Sequence, residues 1–205
     1  MNKENLIESS RVTEFFVWID EKDFLTSYHI KNLKSFTSTP HGLDDDLLTF
    51  IPNPAGIGFI SPFQHNLLQD YWTEYNLELE RRAHFKNYPS RLEGIYLFET
   101  YADAKKYQET HERHTAGRTL RRVRSHGGHI MSKHDLGWID FLHVAEMMDS
   151  DNRHEVLHAY WKGENVIGNG NRFITKDGNF QPGSLYEILY VGRIDFLETL
   201  SSMDI

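Results

Sequence analysis

One stretch of the sequence predicts a strand followed at once by a helix: GIYLFETYADAKKY, residues 94–107. The apolar run over 94–98 is typical of a short buried strand, and a helix is expected over 102–112. Tyr96 and Tyr107 therefore lie on successive elements, where two tyrosines can face each other and hold a flat cation between their rings. Two buried tyrosines are also typical of an ordinary core.

Strands are expected toward both ends of the chain with helices between them, which is typical of an α+β protein. The expected strands cover 15–19, 24–30, 118–125 (closed by Gly127-Gly128), 186–191 and 193–197; the expected helices cover 62–79, 138–148 and 152–161. Residues 37–62, with four prolines, form a long connection of the kind that often serves as a lid or binding loop. Residues 163–183 are a second loop. No repeat or composition shift marks a boundary, so we expect a single domain over 1–205.

Composition excludes several classes of protein. The 205 residues are 39% hydrophobic, which suffices for a core without disulfides or a structural metal. The absence of Cys excludes disulfide scaffolds, Cys-ligated zinc and cysteine nucleophiles. A net charge of −8 argues against a protein that binds polyanions over its whole surface.

Neither a targeting segment nor a membrane span is visible in the sequence. The first ten residues are polar, and no apolar run approaches the roughly 20 residues that cross a bilayer. We therefore expect a cytoplasmic protein that makes no membrane contact.

The run His154-Glu155-Val156-Leu157-His158 matches the pattern H-E-x-x-H. On a helix, two histidines four residues apart share a face and can bind one zinc ion while the glutamate activates water. No downstream helix clearly supplies a third ligand, and charged residues surround the motif. A zinc-dependent hydrolase is therefore the alternative, and we expect no metal at the principal site.

A local basic stretch stands out in this acidic chain. It contains Arg118, Arg121, Arg122 and Arg124, with His111, His114, His126 and His129 nearby. The stretch either binds a phosphate-bearing partner or pairs with the many carboxylates of the chain. The histidines have metal-like spacing, but neighbouring cations disfavour a metal there.

The 94–107 stretch resembles the nicotinamide-binding strand–helix unit of ADP-ribosyltransferases of the diphtheria toxin and poly(ADP-ribose) polymerase type. In that family a Gly-apolar-Tyr strand precedes a helix that carries a second tyrosine. The order of other residues is similar to the family as well. His29 occupies the place of an early histidine, and Glu187 that of a glutamate on a late strand.

The resemblance implies an α+β domain with the split mixed β-sheets of the ADP-ribosyltransferase fold, and NAD as substrate. His29 would bind a ribose of NAD, and Tyr96 and Tyr107 would stack on the nicotinamide. Glu187 would bind the nicotinamide ribose and stabilise the positive charge that develops there. Arg91, just before the Gly94 strand, would contact the cofactor phosphates.

The resemblance also bears on the acceptor of ADP-ribose. Leu185 stands two residues before Glu187, where arginine-modifying members carry Glu or Gln, so arginine is not the expected acceptor. We expect a macromolecular acceptor, protein or nucleic acid, with phosphate groups that meet the basic stretch. A non-catalytic nucleotide-binding module is a further alternative.

Overall fold

Two long antiparallel strands, β5 (Thr119–Asp135) and β6 (Tyr186–Phe196), form the centre of the sheet. The computed structural model describes residues 5–38, 71–144, 150–169 and 184–197. Along the outer edge of β5 lie β1 (Leu6–Ser9) and β2 (Glu14–Ile19), and along that of β6 lie β3 (Ser35–Ser38) and β4 (Ile95–Leu97). The prediction of an α+β protein is confirmed. The described strands form one six-stranded sheet with antiparallel pairing, whereas the resemblance implies split mixed sheets.

The helices lie between the strands in sequence, as predicted. They are α1 (Phe24–Tyr28), a π-helix (His29–Leu33), α2 (Tyr71–His84), α3 (Tyr101–Thr110), α4 (Glu112–Thr115), α5 (Gly137–Val144), α6 (Ser150–Lys162) and α7 (Val166–Asn169). The predicted helices thus match α3, α5, α6 and the described part of α2. Among the described residues, no helix has both the length and the apolar character that crossing a membrane requires.

Part of the core lies where β2 and β4 meet. Phe16 and Phe98 exchange backbone hydrogen bonds of 2.8 Å, which join the edge of β2 to the end of β4. Trp18 is buried and its indole N–H donates to the Ala104 carbonyl at 3.0 Å, so α3 is held against β2. The predicted strand–helix stretch is therefore part of the buried centre of the protein.

Strands β5 and β6 contain a bulge with glycines in it. The predicted strand ends at residues 125 and 191 are therefore wrong. Backbone pairing passes from His126 opposite Arg193 to Ile130 opposite Val191, so β5 has extra residues between these pairs. Gly127 and Gly192 adopt φ values of +70° and +146°, which other residues rarely adopt. Strand β5 therefore continues ten residues beyond 125, and the two predicted C-terminal strands are one.

The predicted strand over 24–30 is also wrong, because this segment is helical. The Asp23 side chain accepts a hydrogen bond from the Thr26 N–H at 2.8 Å and caps α1. Phe24 is 78% exposed, so its apolar side chain does not mark a buried strand face. Local capping therefore outweighs the β propensity of the aromatic and β-branched residues.

Some predictions fall outside the described residues. They concern the long connection beyond Ser38, the first part of the helix predicted over 62–79, the end of the helix predicted over 138–148, and most of the loop over 163–183.

Gly94 allows the chain to turn tightly into β4. We therefore expect any side chain at this position to lower the stability of the protein. The Gly94 N–H donates to the Ser90 carbonyl at 2.8 Å, and an added Cβ would lie 2.8 Å from that same oxygen. We expect Gly94→Ala to lower the free energy of unfolding by about 1–3 kcal/mol, measured by urea denaturation. Gly128→Ala is the control, since its Cβ would meet nothing within 4 Å. Equal stability of the two variants would contradict the prediction.

Candidate functional site

The guanidinium of Arg91 lies buried between two carboxylates. Its Nε and Nη2 donate to the Glu74 carboxylate at 2.8–3.1 Å, and its Nη1 donates to Glu187 Oε1. Glu74 comes from α2 and Glu187 from the start of β6. Arg91 itself stands in the turn that precedes β4, where the Leu92 N–H donates to the Ser90 hydroxyl at 3.1 Å. The turn thus aims the arginine inward.

Two tyrosines complete this arrangement. The Tyr160 hydroxyl donates to Glu187 Oε1 at 2.6 Å and accepts from Arg91 Nη1 at 2.7 Å. The Tyr96 hydroxyl donates to the Arg91 carbonyl at 2.7 Å. The centre of the guanidinium lies 4.9 Å from the Tyr96 ring centroid and 5.4 Å from that of Tyr160. We call Glu74, Arg91, Tyr96, Tyr160 and Glu187 the Arg91 cluster.

The Arg91 cluster carries more negative than positive charge when both carboxylates are ionised. Burial raises the pKa of Glu187, because a charged carboxylate is disfavoured away from water, and this outweighs the opposing effect of Arg91. Burial would lower the pKa of Arg91, but Glu187 and Glu74 outweigh it, so the arginine stays charged. Burial also raises the pKa of Tyr96 and Tyr160, which remain hydrogen-bond donors.

Of the predicted site residues, the structure brings Arg91, Tyr96 and Glu187 together. Tyr96 lies on β4 opposite Leu189 of β6, so the two strands that carry Tyr96 and Glu187 are neighbours. The guanidinium of Arg91 is directed at carboxylates and a phenol, whereas the sequence predicted contact with cofactor phosphates. A phosphate would have to displace these carboxylates to reach it.

Tyr107 makes its ring contacts elsewhere. Its ring stacks on His111 with centroids 4.5 Å apart and packs against Phe98 at 5.0 Å, and its hydroxyl lies 2.9 Å from His114 Nδ1. His111 also contacts Asp140, with Nε2 2.9 Å from Oδ1. His111 and His114, which the sequence assigned to a basic surface, therefore both contact Tyr107, a predicted site residue.

His29 lies in the π-helix and not on an early strand. Its Nδ1 lies 3.0 Å from the Ser35 carbonyl oxygen, and its ring contacts Phe36 at 5.2 Å. These contacts hold the segment that leads into β3. None of these contacts is with a member of the Arg91 cluster. The structure therefore does not place His29, the predicted ribose-binding residue, beside Arg91, Tyr96 and Glu187.

The arginines of the basic stretch lie on β5 or directly before it, and two of them pair with carboxylates. Arg121 Nε donates to Glu21 at 2.7 Å, and Arg122 Nη1 lies 3.8 Å from Glu14. Arg118 is partly buried, which lowers its pKa, and Arg124 is exposed. Of the two interpretations that the sequence left open, pairing with carboxylates describes Arg121 and Arg122.

His134 is a member of the site region that sequence reasoning missed. It lies on β5 opposite Glu187 and is fully buried. Its Nδ1 is 2.9 Å from the Tyr160 carbonyl oxygen and its Nε2 is 2.7 Å from the Ser132 hydroxyl. Burial lowers the pKa of His134 to about 3, so the ring is neutral. The alternation of Ser132 and His134 along β5 was the only signal in the sequence.

The comparison with family models covers most of these residues. Residues 1–179 match the model described as "Protein of unknown function (DUF2441)". The chain belongs to this family. The match includes Glu74, Arg91, Tyr96 and Tyr160 and ends before Glu187. No curated protein sequence matches the chain.

The histidines of the H-E-x-x-H run lie on α6 in this DUF2441 protein. His154 and His158 contact Glu80 of α2, and this group is separate from the members of the Arg91 cluster.

Removing the charge of Arg91 is expected to destabilise the protein strongly. Arg91→Met leaves Glu74 and Glu187 buried without a cation, and we expect a loss of about 3–5 kcal/mol in the free energy of unfolding. The matched control is Arg193→Met, since Arg193 pairs with Asp195 at the surface and such pairs contribute at most about 1 kcal/mol. Urea denaturation of both variants checks this, and a similar loss in the two would refute it.

His134 predicts a pH dependence of stability. Its pKa is about 3 in the folded protein, whereas the pKa of a histidine in an unfolded chain is about 6.5. Between these values the unfolded chain binds a proton that the folded protein excludes, so stability falls as the pH falls. We expect wild type to lose about 2 kcal/mol more than His134→Gln between pH 6.5 and 4.5. Denaturation curves at several pH values measure this difference, and parallel profiles would rule it out.

Proposed function

We propose that the chain is an NAD-dependent transferase with an ADP-ribosyltransferase-like fold. It would cleave the bond between nicotinamide and ribose and move ADP-ribose to a macromolecular acceptor. The observation that carries the proposal is the Arg91 cluster, in which a flat cation lies against two tyrosine rings beside Glu187. The nicotinamide ring of NAD is also a flat cation, so tyrosine rings and a carboxylate are suitable partners for it beside the guanidinium.

The proposed chemistry is mainly electrostatic. The C1′–N bond breaks, its electron pair leaves with neutral nicotinamide, and positive charge develops on the ribose. A carboxylate near that ribose stabilises the charge more in the transition state than in bound NAD, and this lowers the barrier. A nucleophilic oxygen or nitrogen of the acceptor then bonds to C1′ and releases its proton to water.

Glu187 has one oxygen that suits this role. Both hydrogen bonds that Glu187 accepts, from Arg91 and Tyr160, end on Oε1. The proposal therefore assigns Oε2 to a hydroxyl of the nicotinamide ribose, while Arg91 and Tyr160 keep the carboxylate in place. Tyr96 would contribute its ring, since its hydroxyl donates to the Arg91 carbonyl.

The acceptor in this proposal is a protein or nucleic acid in the cytoplasm. Arg118, Arg121, Arg122 and Arg124 would contact its phosphate groups. Arg124 is exposed and directly available, whereas Arg121 and Arg122 would exchange Glu21 and Glu14 for the phosphates.

A second candidate is a non-catalytic nucleotide-binding module. The observation that favours it is the burial of Glu187, which is 2% exposed and neutralised by Arg91. A carboxylate held in this way can serve stability alone. Such a module would bind NAD and release no nicotinamide.

The decisive experiment measures nicotinamide release from NAD and, separately, NAD binding. We expect wild type to release nicotinamide and Glu187→Gln to do so at least about 100-fold more slowly while still binding NAD. Tyr96→Phe keeps the ring and should retain most of the rate. Glu99→Gln is the matched control, because Glu99 is an exposed carboxylate paired with Lys133.

Two results would decide against the transferase, and a third would decide against the role assigned to Glu187. Wild type that binds NAD without releasing nicotinamide would indicate the non-catalytic module. Wild type that does not bind NAD would refute both candidates. Equal rates in wild type and Glu187→Gln, with both folded by circular dichroism, would remove Glu187 from the mechanism.

A further inference from the structure

Two helices bring four metal-ligating side chains together away from the Arg91 cluster. Glu80 and His84 lie four residues apart on α2, and His154 and His158 lie four residues apart on α6. Residues at this spacing share a helix face. The two pairs face each other, because the rings of His154 and His158 lie 5.8 and 5.5 Å from the ring of His84.

The Glu80 carboxylate is the centre of this group. His154 Nδ1 lies 2.9 Å from Glu80 Oε2, and His158 Nδ1 lies 2.6 Å from Oε1. One ligand atom from each of these three residues falls within 4.8 Å of the others. Ligand atoms around a tetrahedral zinc ion are about 3.3 Å apart, given metal–ligand bonds of about 2.0–2.1 Å. A small expansion of the group would therefore accommodate an ion.

A fourth side chain of suitable chemistry, His84, lies beside this group of three. His84 Nε2 lies 3.9 Å from Glu80 Oε1, close to the separation expected of a neighbouring ligand. The Glu80 side chain is buried at 5% exposure, while the side chains of His84, His154 and His158 are 31–56% exposed. The carboxylate is thus the buried member of the group. The imidazoles are partly exposed, so an ion can reach them from solvent.

We propose that Glu80, His84, His154 and His158 bind a divalent transition metal, with zinc as the representative ion. Imidazole and carboxylate ligands suit zinc, cobalt, nickel and copper better than magnesium or calcium. A divalent cation would neutralise the buried carboxylate and would also bind the imidazoles.

The site joins two helices and has a structural role. Four protein ligands fill the tetrahedral positions and leave none for water, as in structural zinc sites. The same helices carry Glu74 and Tyr160 of the Arg91 cluster, and the Trp161 indole N–H already donates to the Leu77 carbonyl at 2.9 Å. A bound metal would fix α6 against α2 and thereby hold Tyr160 on Glu187.

The sequence showed only half of this site. The H-E-x-x-H spacing is visible, but the pattern places its third ligand downstream of the two histidines. It lies upstream on α2, where the Glu80-x-x-x-His84 spacing was the available signal.

Metal binding to tag-free protein tests the proposal. Titration of the metal-free chain with Co²⁺ should produce visible d–d absorption of a tetrahedral site, and Zn²⁺ should abolish it by competition. We expect His158→Ala and Glu80→Gln to weaken binding at least about 100-fold. His126→Ala is the matched control, because His126 pairs with Asp195 at the surface as a histidine–carboxylate pair with no further ligand. It should bind metal as wild type does.

Thermal unfolding gives a second readout. Zinc at about 100 times its dissociation constant should raise the Tm of wild type by about 5–10 °C and leave His154→Ala unchanged. His154 is more than half exposed, so its removal does not disturb the fold. The proposal fails if wild type binds Co²⁺ no more tightly than His154→Ala, or if His126→Ala weakens binding as much as His158→Ala.

Discussion

A guanidinium buried away from water is stable only if carboxylates and hydrogen-bond acceptors surround it, and this constraint fixes Arg91. Glu74 of α2 and Glu187 of β6 supply the carboxylates, and the Tyr160 hydroxyl of α6 accepts a further hydrogen bond. Four segments that are distant in sequence must therefore meet at one point. Removing Arg91 would leave two buried carboxylates without a cation, so the packing of these helices against the sheet depends on this one side chain.

The helices α2 and α6 carry polar groups on more than one face. On α2, Glu74 pairs with Arg91, while Glu78 accepts hydrogen bonds from Arg81, Arg82 and Ser90. Burial raises the pKa of Glu78, but these donors outweigh it, and the carboxyl remains charged. Glu80 instead faces α6 and its histidines. The interface between the two helices therefore links the proposed metal site to the carboxylate of the proposed active site.

Sequence patterns predicted the elements that follow from local periodicity. The apolar runs of β2 and β4 and the helical spacing in α5 report directly which residues are buried. The strand predicted over 24–30 is wrong, because the Asp23 cap of α1 makes this segment helical. The sequence patterns also failed at Gly127 and Gly192, since a glycine in a strand marks either an end or a bulge, and only pairing with the neighbouring strand distinguishes them.

Residue patterns alone are enough to predict an α+β chain without Cys, a buried strand with Tyr96, and a glutamate at position 187 that needs a partner on an otherwise apolar strand. They also predict two histidines on one helix face. Only the tertiary structure decided that Glu187 pairs with Arg91, that Tyr160 joins them, and that Glu80 lies under the histidines. The physical reason is that a buried charge is neutralised by whichever opposite charge the packing brings near. Such contacts join residues as far apart in sequence as Arg91 and Glu187, which are 96 positions apart, and they leave no periodic trace along the chain.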